Sequence, residues 1–294
     1  MNQITLGIYE KALRNETWDG FFASVARGGF AFVDLSIDES EGRAARLAWG
    51  RQQKNAVRDA AARHGVRIGG LCLSLHRAIG PGSSAPDVRR RASQVFHQAI
   101  DFCVDVGIPL IQVAGYYAYY EAWDAGQRQR YVECLAEAAG YAACAGVMLG
   151  IENVDGTDVT SITKAVEICD EVGSTWLQLY PDIGNLAEQQ LDTAAELAAG
   201  AGRMLALHVK DVLPGVPRRV PMGGGIADFR GAFAELARQQ WSGRLMIEMW
   251  GDDAHDSADK ARDAKRLIED LLCQAGIAAS SPGLVHAACG ANTA

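Results

Sequence analysis

Eight short, nearly continuous apolar runs, each followed by a longer amphipathic stretch, set the limits on what this chain can fold into. The runs are ITLGIYE (4–10), AFVDLSI (31–37), RIGGLCLSL (67–75), PLIQVAGY (109–116), VMLGIENV (147–154), WLQLYPDI (176–183), RMLALHVK (203–210) and RLMIEMW (244–250). Apolar runs without strict alternation mark strands buried on both faces, as in a parallel sheet covered by helices. Between them lie stretches such as DVRRRASQVFHQAIDFCVDVG, where Val95, Ile100, Phe102, Val104 and Val106 share space with Arg89, Arg90, Arg91, Asp101 and Asp105. Gly107 ends that helix, and HG (64–65), AG (145–146), VG (172–173) and AG (201–202) end others just before the next strand. Glycine is favoured just past the last helical turn. Eight strands with crossover helices over about 250 residues predict a single (β/α)8 TIM barrel rather than an open doubly wound sheet.

No Pro-, Gly- or Ser-rich linker divides the chain. One barrel domain is expected over residues 1–276, with a C-terminal tail over 277–294, peripheral or partly disordered, where periodicity and charge fade. The 49% hydrophobic content of the 294 residues supplies a core for a domain of that size. The 28 Lys and Arg against 36 Asp and Glu leave a net charge of −8, a surface that repels nucleic-acid backbones and anionic lipid. No apolar run approaches the roughly 18 to 20 residues that cross a bilayer, and the start MNQITLGIYE lacks a basic stretch leading into a long apolar one. A cytoplasmic protein without nucleic-acid or membrane partners is expected. The seven cysteines are odd in number, form no CxxC pair and fall mostly in apolar segments, so free thiols are expected. Trp123 and Trp241, read as exposed outer-helix aromatics, make a homodimer an expectation.

In a (β/α)8 barrel the C-terminal strand ends converge on one mouth. Four late strands carry a metal-type ligand there: Glu152 in LGIENV, Asp182 in LYPDIG, His208 in LALHVK and Glu248 in LMIEMW. An ionisable group inside an apolar strand is costly unless paired or bound to a cation. Four at matching strand positions call for a common partner. Three carboxylates and one imidazole suit one divalent metal ion, with Zn²⁺ or Mn²⁺ first and Mg²⁺ or Co²⁺ as alternatives.

The segments LQLYPDIGNL, ALHVKDVLPGVPRRVP with MGGGIADF, and LMIEMW, together with CLSLHR and IQVAGYYAYY, resemble those of bacterial L-ribulose-5-phosphate or L-xylulose-5-phosphate 3-epimerases. The likeness runs from the first strand to about residue 275. These enzymes belong to the xylose isomerase-like barrel superfamily. The resemblance implies a divalent-metal site of two Glu, one Asp and one His, which falls on Glu152, Asp182, His208 and Glu248. The match is looser after Glu152, where the family tends to read Glu-Ile-Met-Asp and this chain has Glu152-Asn153-Val154-Asp155.

The resemblance further implies an isomerase acting on a small sugar phosphate, with the metal on the C2 carbonyl and C3 hydroxyl oxygens. Glu152 and Glu248 then exchange acid and base roles at C3, while Asp182 and His208 hold the ion. Lys210, two residues beyond His208 and so on the same strand face, is the first candidate for the phosphate. Arg218, Arg219 and the backbone of Gly223 to Gly225 come after it, the glycine triplet reading equally as a flexible lid. His76 and Arg77 at the end of the third strand, and Asn185 three residues after Asp182, are candidate substrate contacts, with a core hydrogen bond or a supporting role behind the metal ligands as the alternatives for His76. The run Tyr116, Tyr117, Tyr119 and Tyr120 is read either as a wall of the sugar site or as an aromatic cover. On the same scaffold the alternatives are a keto–aldo isomerase, a free-ketose epimerase, an inosose dehydratase and, from another class, a non-catalytic sugar-phosphate binding protein. A multi-metal endonuclease would need more than the 6 His present and a basic groove.

Overall fold

The computed structural model describes residues 3–14, 16–251 and 254–280. Eight parallel strands run in chain order: β1 (Gln3–Tyr9), β2 (Phe32–Ile37), β3 (Arg67–Leu73), β4 (Leu110–Ala114), β5 (Met148–Glu152), β6 (Leu177–Leu179), β7 (Leu207–Val209) and β8 (Gly243–Ile247). They pair in the order β6-β5-β4-β3-β2-β1-β8-β7, with helices on the outside. The ring closes between β6 and β7 through isolated bridges, Leu179 with Met204 and Asp182 with His208. Regular pairing is interrupted there by Pro181, which has no N–H to give; its carbonyl instead accepts from the His208 amide at 2.7 Å. The fold is the expected (β/α)8 barrel.

Strand residues facing the helices and helix residues facing the strands form one large apolar layer, which includes Ile4, Ile8, Phe22, Val33, Val57, Phe102, Ile111, Leu135, Leu149, Phe233 and Leu245. The opposite strand face packs into separate, smaller clusters: Tyr9 with Phe32, Cys72 and Met246, and Leu110 with Tyr180 and Ala206. Gly7 belongs to this inner packing, since a Cβ there would overlap the Phe32 ring. Below the mouth, the Tyr180 hydroxyl donates to Asp34 Oδ2 at 2.6 Å, both fully buried.

The helix Pro86–Val106 has Pro at its start and ends on Gly107 with φ of 83°, and the helix Gln127–Ala145 ends on Gly146 at 71°. These left-handed caps turn the chain into the next strand within a few residues. Within the segment read as a tail, Ala278–Ser280 form a ninth strand, β9, parallel to β1. It covers the edge that Gln3–Thr5 would otherwise leave open, because β2 joins β1 only from Gly7 onward. Residues 281–294 of that tail lie outside the described residues. Among the described residues no helix is long and apolar enough to cross a membrane, and six cysteines are free. Trp123 is 77% exposed, whereas Trp241 is buried, its indole N–H donating to the Met204 carbonyl at 3.3 Å. Trp241 lies beyond the end of the helix Phe229–Arg238 and packs into the core, so it offers no outer surface.

Candidate active site

Glu152 is the last residue of β5 and His208 the middle residue of β7. Asp182 and Glu248 stand just beyond the regular ends of β6 and β8. One ligand atom from each of these four lies within 4.8 Å of every other. They are the four residues picked from the strand ends. Glu152 uses both oxygens: Oε2 accepts from Gln112 Nε2 at 2.5 Å and Oε1 lies 2.8 Å from His208 Nδ1. His208 Nδ1 is also 3.9 Å from Glu248 Oε2, and Tyr180 packs on the imidazole with ring centroids 4.5 Å apart. Burial disfavours the imidazolium, but Glu152 and Glu248 outweigh it and push the His208 pKa up to about 9.

Asp182 is fixed through its backbone. Asn153 Oδ1 accepts from its N–H at 2.8 Å, and Asn153 Nδ2 donates to its carbonyl at 3.0 Å. The Asp182 carboxylate caps the helix Ile183–Glu188, with Oδ1 accepting from the Asn185 amide at 3.0 Å. Asn185 is thereby oriented, its side-chain amide donating to the Asn153 carbonyl at 2.9 Å and its Oδ1 accepting from Lys210 at 2.7 Å. Lys210 Nζ also lies 2.8 Å from Asp182 Oδ2 and 3.5 Å from Glu248 Oε2.

These groups fit a divalent cation on their own chemistry. Three carboxylates against the Lys210 ammonium and a His208 imidazole that Glu152 and Glu248 hold protonated leave one formal negative charge in a buried cluster. Asp182 Oδ2 and Glu248 Oε2 are shut from solvent and make no directed hydrogen bond among the described residues. Burial raises the Asp182 pKa; Lys210 opposes this, but Glu248 and Glu152 add to it and keep the carboxyl well above the usual carboxylate range. A bound cation would relieve all three features; the imidazole suits Zn²⁺ and the carboxylates suit Mn²⁺ as well.

The mouth above the cluster is a polar cavity lined by Tyr9, Lys11, Cys72, Ser74, Arg77, Gln112, Tyr116, Glu152, Asn185, Lys210, Arg218, Glu248 and Trp250. Asn185, Lys210, Arg77 and Arg218, read from the sequence as substrate contacts, all line it. Their partners differ from that reading. Lys210 is not free for a phosphate, because its ammonium is surrounded by Asn185, Asp182 and Glu248. The amides of Gly223 and Gly225 are also taken: both donate to Asp211 Oδ2 at 2.9 Å, so an internal carboxylate occupies the expected anion cradle. Arg218 is tied to Asp155 Oδ2 at 2.8 Å and to the Tyr116 hydroxyl at 3.2 Å. Arg219 does not line the cavity.

His76 does not join the mouth either. It is buried, its Nε2 lies 3.1 Å from the Ala92 carbonyl, and its ring packs against Phe96 at 4.2 Å. The 3-10 turn Ser74–Arg77 ends β3 and breaks strand alternation, which directs His76 towards the helix Pro86–Val106. Of the tyrosine run, Tyr116 lines the mouth. Tyr119 and Tyr120 are exposed, and Tyr117 belongs to a separate surface cavity. Residues missed in the sequence include Gln112, Asn153, Lys11, Ser74 and Trp250. Gln112 and Asn153 carried a signal, since each is a lone amide at an apolar strand or its end.

The xylose isomerase-like TIM barrel family model matches residues 22–271. The chain belongs to that family. Within this xylose isomerase-like group it is 41% identical over 276 residues to the L-ribulose-5-phosphate 3-epimerase of Salmonella paratyphi C, covering 94% of this chain and 97% of that enzyme. The enzyme of the same name from Escherichia coli K12 is 40% identical over the same shares. Among solved structures, the D-psicose 3-epimerase of Clostridium cellulolyticum H10 superposes with a TM-score of 0.78 at 17% identity, over 91% of this chain and 99% of that one. A structure of L-ribulose 3-epimerase gives 0.78 at 18%, over 94% and 96%. At such identities the superpositions speak for the fold. The curated relatives mark this xylose isomerase-like barrel as an isomerase of the sugar 3-epimerase kind.

Proposed function

We propose that the protein is a cytoplasmic, metal-dependent 3-epimerase that interconverts L-ribulose 5-phosphate and L-xylulose 5-phosphate. The observation that carries the reading is the approach of Glu152 and Glu248 to one centre from β5 and from the end of β8, in a chain 41% identical to an enzyme of that name. Inverting C3 needs a proton taken from one face and returned to the other. Two carboxylates from separate strands meet that need, whereas sugar-phosphate binding alone does not.

In one direction Glu152 or Glu248, ionised, takes the C3 proton. The C–H electron pair forms the C2–C3 double bond while the carbonyl π pair moves onto the C2 oxygen, giving an enediolate. The other glutamate, in its acid form, returns a proton to the opposite face of C3. The two residues have then exchanged protonation states, so the reverse reaction uses them in swapped roles. A divalent cation held by Glu152, Asp182, His208 and Glu248, Zn²⁺ or Mn²⁺ before Mg²⁺ or Co²⁺, supplies Lewis-acid stabilisation of the enediolate charge. Asn153 and Asn185 hold Asp182 in place, Gln112 orients Glu152, and Lys210 balances Asp182 and Glu248.

The test is proton NMR of L-ribulose 5-phosphate in D2O with protein stripped by chelator and then given back Zn²⁺ or Mn²⁺. L-Xylulose 5-phosphate deuterated at C3, formed only after metal return, is the expected product. Deuterium at C1 points to a keto–aldo isomerase instead, and binding without turnover to a sugar-phosphate binding protein.

A further inference from the structure

The floor of the barrel, at the strand ends opposite the mouth, holds a second cavity of about 350 Å³. Its origin is a break in strand pairing. β2 pairs Val33 with Ile68 and Asp34 with Gly70, so Gly69 is an extra residue bulged out of β3. β4 pairs with β3 only from Leu71 onward, and Pro109, just ahead of β4, has no N–H with which to extend the ladder. A window is left between the N-terminal ends of β3 and β4. The helix Arg51–Arg63 lines it with the small side chains of Ala61 and Ala62, which leave the space unfilled.

The walls are apolar, from Phe32, Val66, Ile68, Val106 and Pro109, and three arginines, Arg58, Arg67 and Arg244, stand among them. Among the described residues no carboxylate lines the space, in a chain whose net charge is −8. Arg244 shares a strand face with Met246 and so points into the barrel. Its guanidinium stands 5.8 Å over the Phe32 ring and gives one N–H to the bulged Gly69 carbonyl at 2.6 Å. Asp34, which feels that charge, lies behind Gly69 and Gly70, accepts from Tyr180, and is no part of the cavity wall. Arg58 reaches its exposed neighbour Asp59 only at 3.4 Å. The exposed Arg67 side chain makes no ion pair or hydrogen bond among the described residues. Open arginine forks beside apolar walls match a carboxylate or phosphate whose carbon skeleton fills the hollow.

We propose that this cavity is a second, non-catalytic binding site for a small organic anion with an apolar body. The carboxylate or phosphate head lies on Arg67 and Arg244, with Arg58 adding charge at the rim, and a ring or branched chain packs against Phe32, Val66 and Val106. The site is at the opposite end of the barrel from Glu152, Asp182, His208 and Glu248, so it and the epimerase reading stand or fall separately.

The test titrates anilinonaphthalene sulfonate, an apolar anion whose fluorescence rises in dry surroundings, into the metal-loaded protein at neutral pH. Wild type, Arg67→Met, the double variant Arg58→Met with Arg67→Met, and Ala62→Trp are compared, with a melting temperature for each. Wild type should show one saturable site. The dye should be displaced by phenyl phosphate, benzoate or both, which tells the preferred head group, and far less by inorganic phosphate or benzyl alcohol, which each lack one half of the ligand. The dye Kd should rise by about tenfold in Arg67→Met, as loss of a charged hydrogen bond implies, and further in the double variant. Ala62→Trp, which fills the hollow, should abolish binding. Arg58 and Arg67 are exposed, so melting temperatures of their variants should match wild type. Absence of saturable binding to wild type, or equal Kd in wild type and the double variant, overturns the assignment. Displacement by neither phenyl phosphate nor benzoate, or equally well by inorganic phosphate, does so too.

Discussion

The Lys210 ammonium stands 2.8 Å from Asp182 Oδ2, an oxygen sealed from water that makes no directed hydrogen bond among the described residues. Lys210 thus supplies one of the positive charges the buried carboxylates need and leaves the rest to a cation. Removing one partner of a buried ion pair costs about 3–5 kcal/mol. Lys210→Met is therefore expected to lower the melting temperature of metal-free protein. Added Zn²⁺ or Mn²⁺ should raise it by more in the variant than in wild type, because the ion then relieves a larger charge imbalance. Differential scanning fluorimetry with and without metal reads both; equal metal-induced shifts would contradict the charge-balance role.

His76 gives a stability prediction away from the cation site. Burial holds its imidazole neutral and brings its pKa down to about 4, against the partial opposition of the Ala92 carbonyl. The unfolded chain takes up a proton near pH 6.5, so the stability tied to neutral His76 is complete above that pH and drains away as pH falls towards 4. The full effect is on the order of 3 kcal/mol. Urea denaturation from pH 7 to 4.5 should show wild type losing more stability than His76→Phe over this window. Parallel profiles for the two proteins would show that His76 does not control it.

Asp211 fills a glycine cradle that the sequence left open between a phosphate and a flexible lid. It accepts from the amides of Gly223 and Gly225 through Oδ2, and from those of Val212 and Ala227 through Oδ1. Asp211→Ala should cost about 2–3 kcal/mol, as hydrogen bonds to a charged group do, and should speed tryptic cleavage after Arg218 and Arg219. Gly225→Ala should have a similar effect, since its Cβ would overlap the Asp211 carboxylate and the Val212 carbonyl. Unchanged cleavage rates in both variants would mean that the loop is held by other contacts.

The barrel and the clustering of Glu152, Asp182, His208 and Glu248 were legible because each rests on a pattern local to a strand: an apolar run with one ionisable residue at its mouth end. The partners of the surrounding groups were not. Alternation correctly put Lys210 on the same face as His208, but Asp182 and Glu248, which claim its ammonium, are brought there by other strands. The Gly223 and Gly225 amides face a carboxylate from before their own loop, an internal anion no glycine pattern reveals. Of the readings open for His76, the core hydrogen bond holds, because a 3-10 turn ends strand alternation after Leu73 and takes the side chain from the mouth. Trp241 was read as surface because the end of its helix, at Arg238, is not marked by a glycine.

Glu152 and Glu248 as the paired acid and base of C3 inversion are tested most directly by tracking C3–H exchange in D2O for Glu152→Gln and Glu248→Gln, starting separately from L-ribulose 5-phosphate and L-xylulose 5-phosphate. Each variant should lose epimerisation by about a hundredfold or more. Neither should exchange the C3 proton of more than one epimer, and the two variants should not exchange the same one. Wild-type epimerisation by either variant, or exchange of both epimers by one of them, would contradict the two-base account.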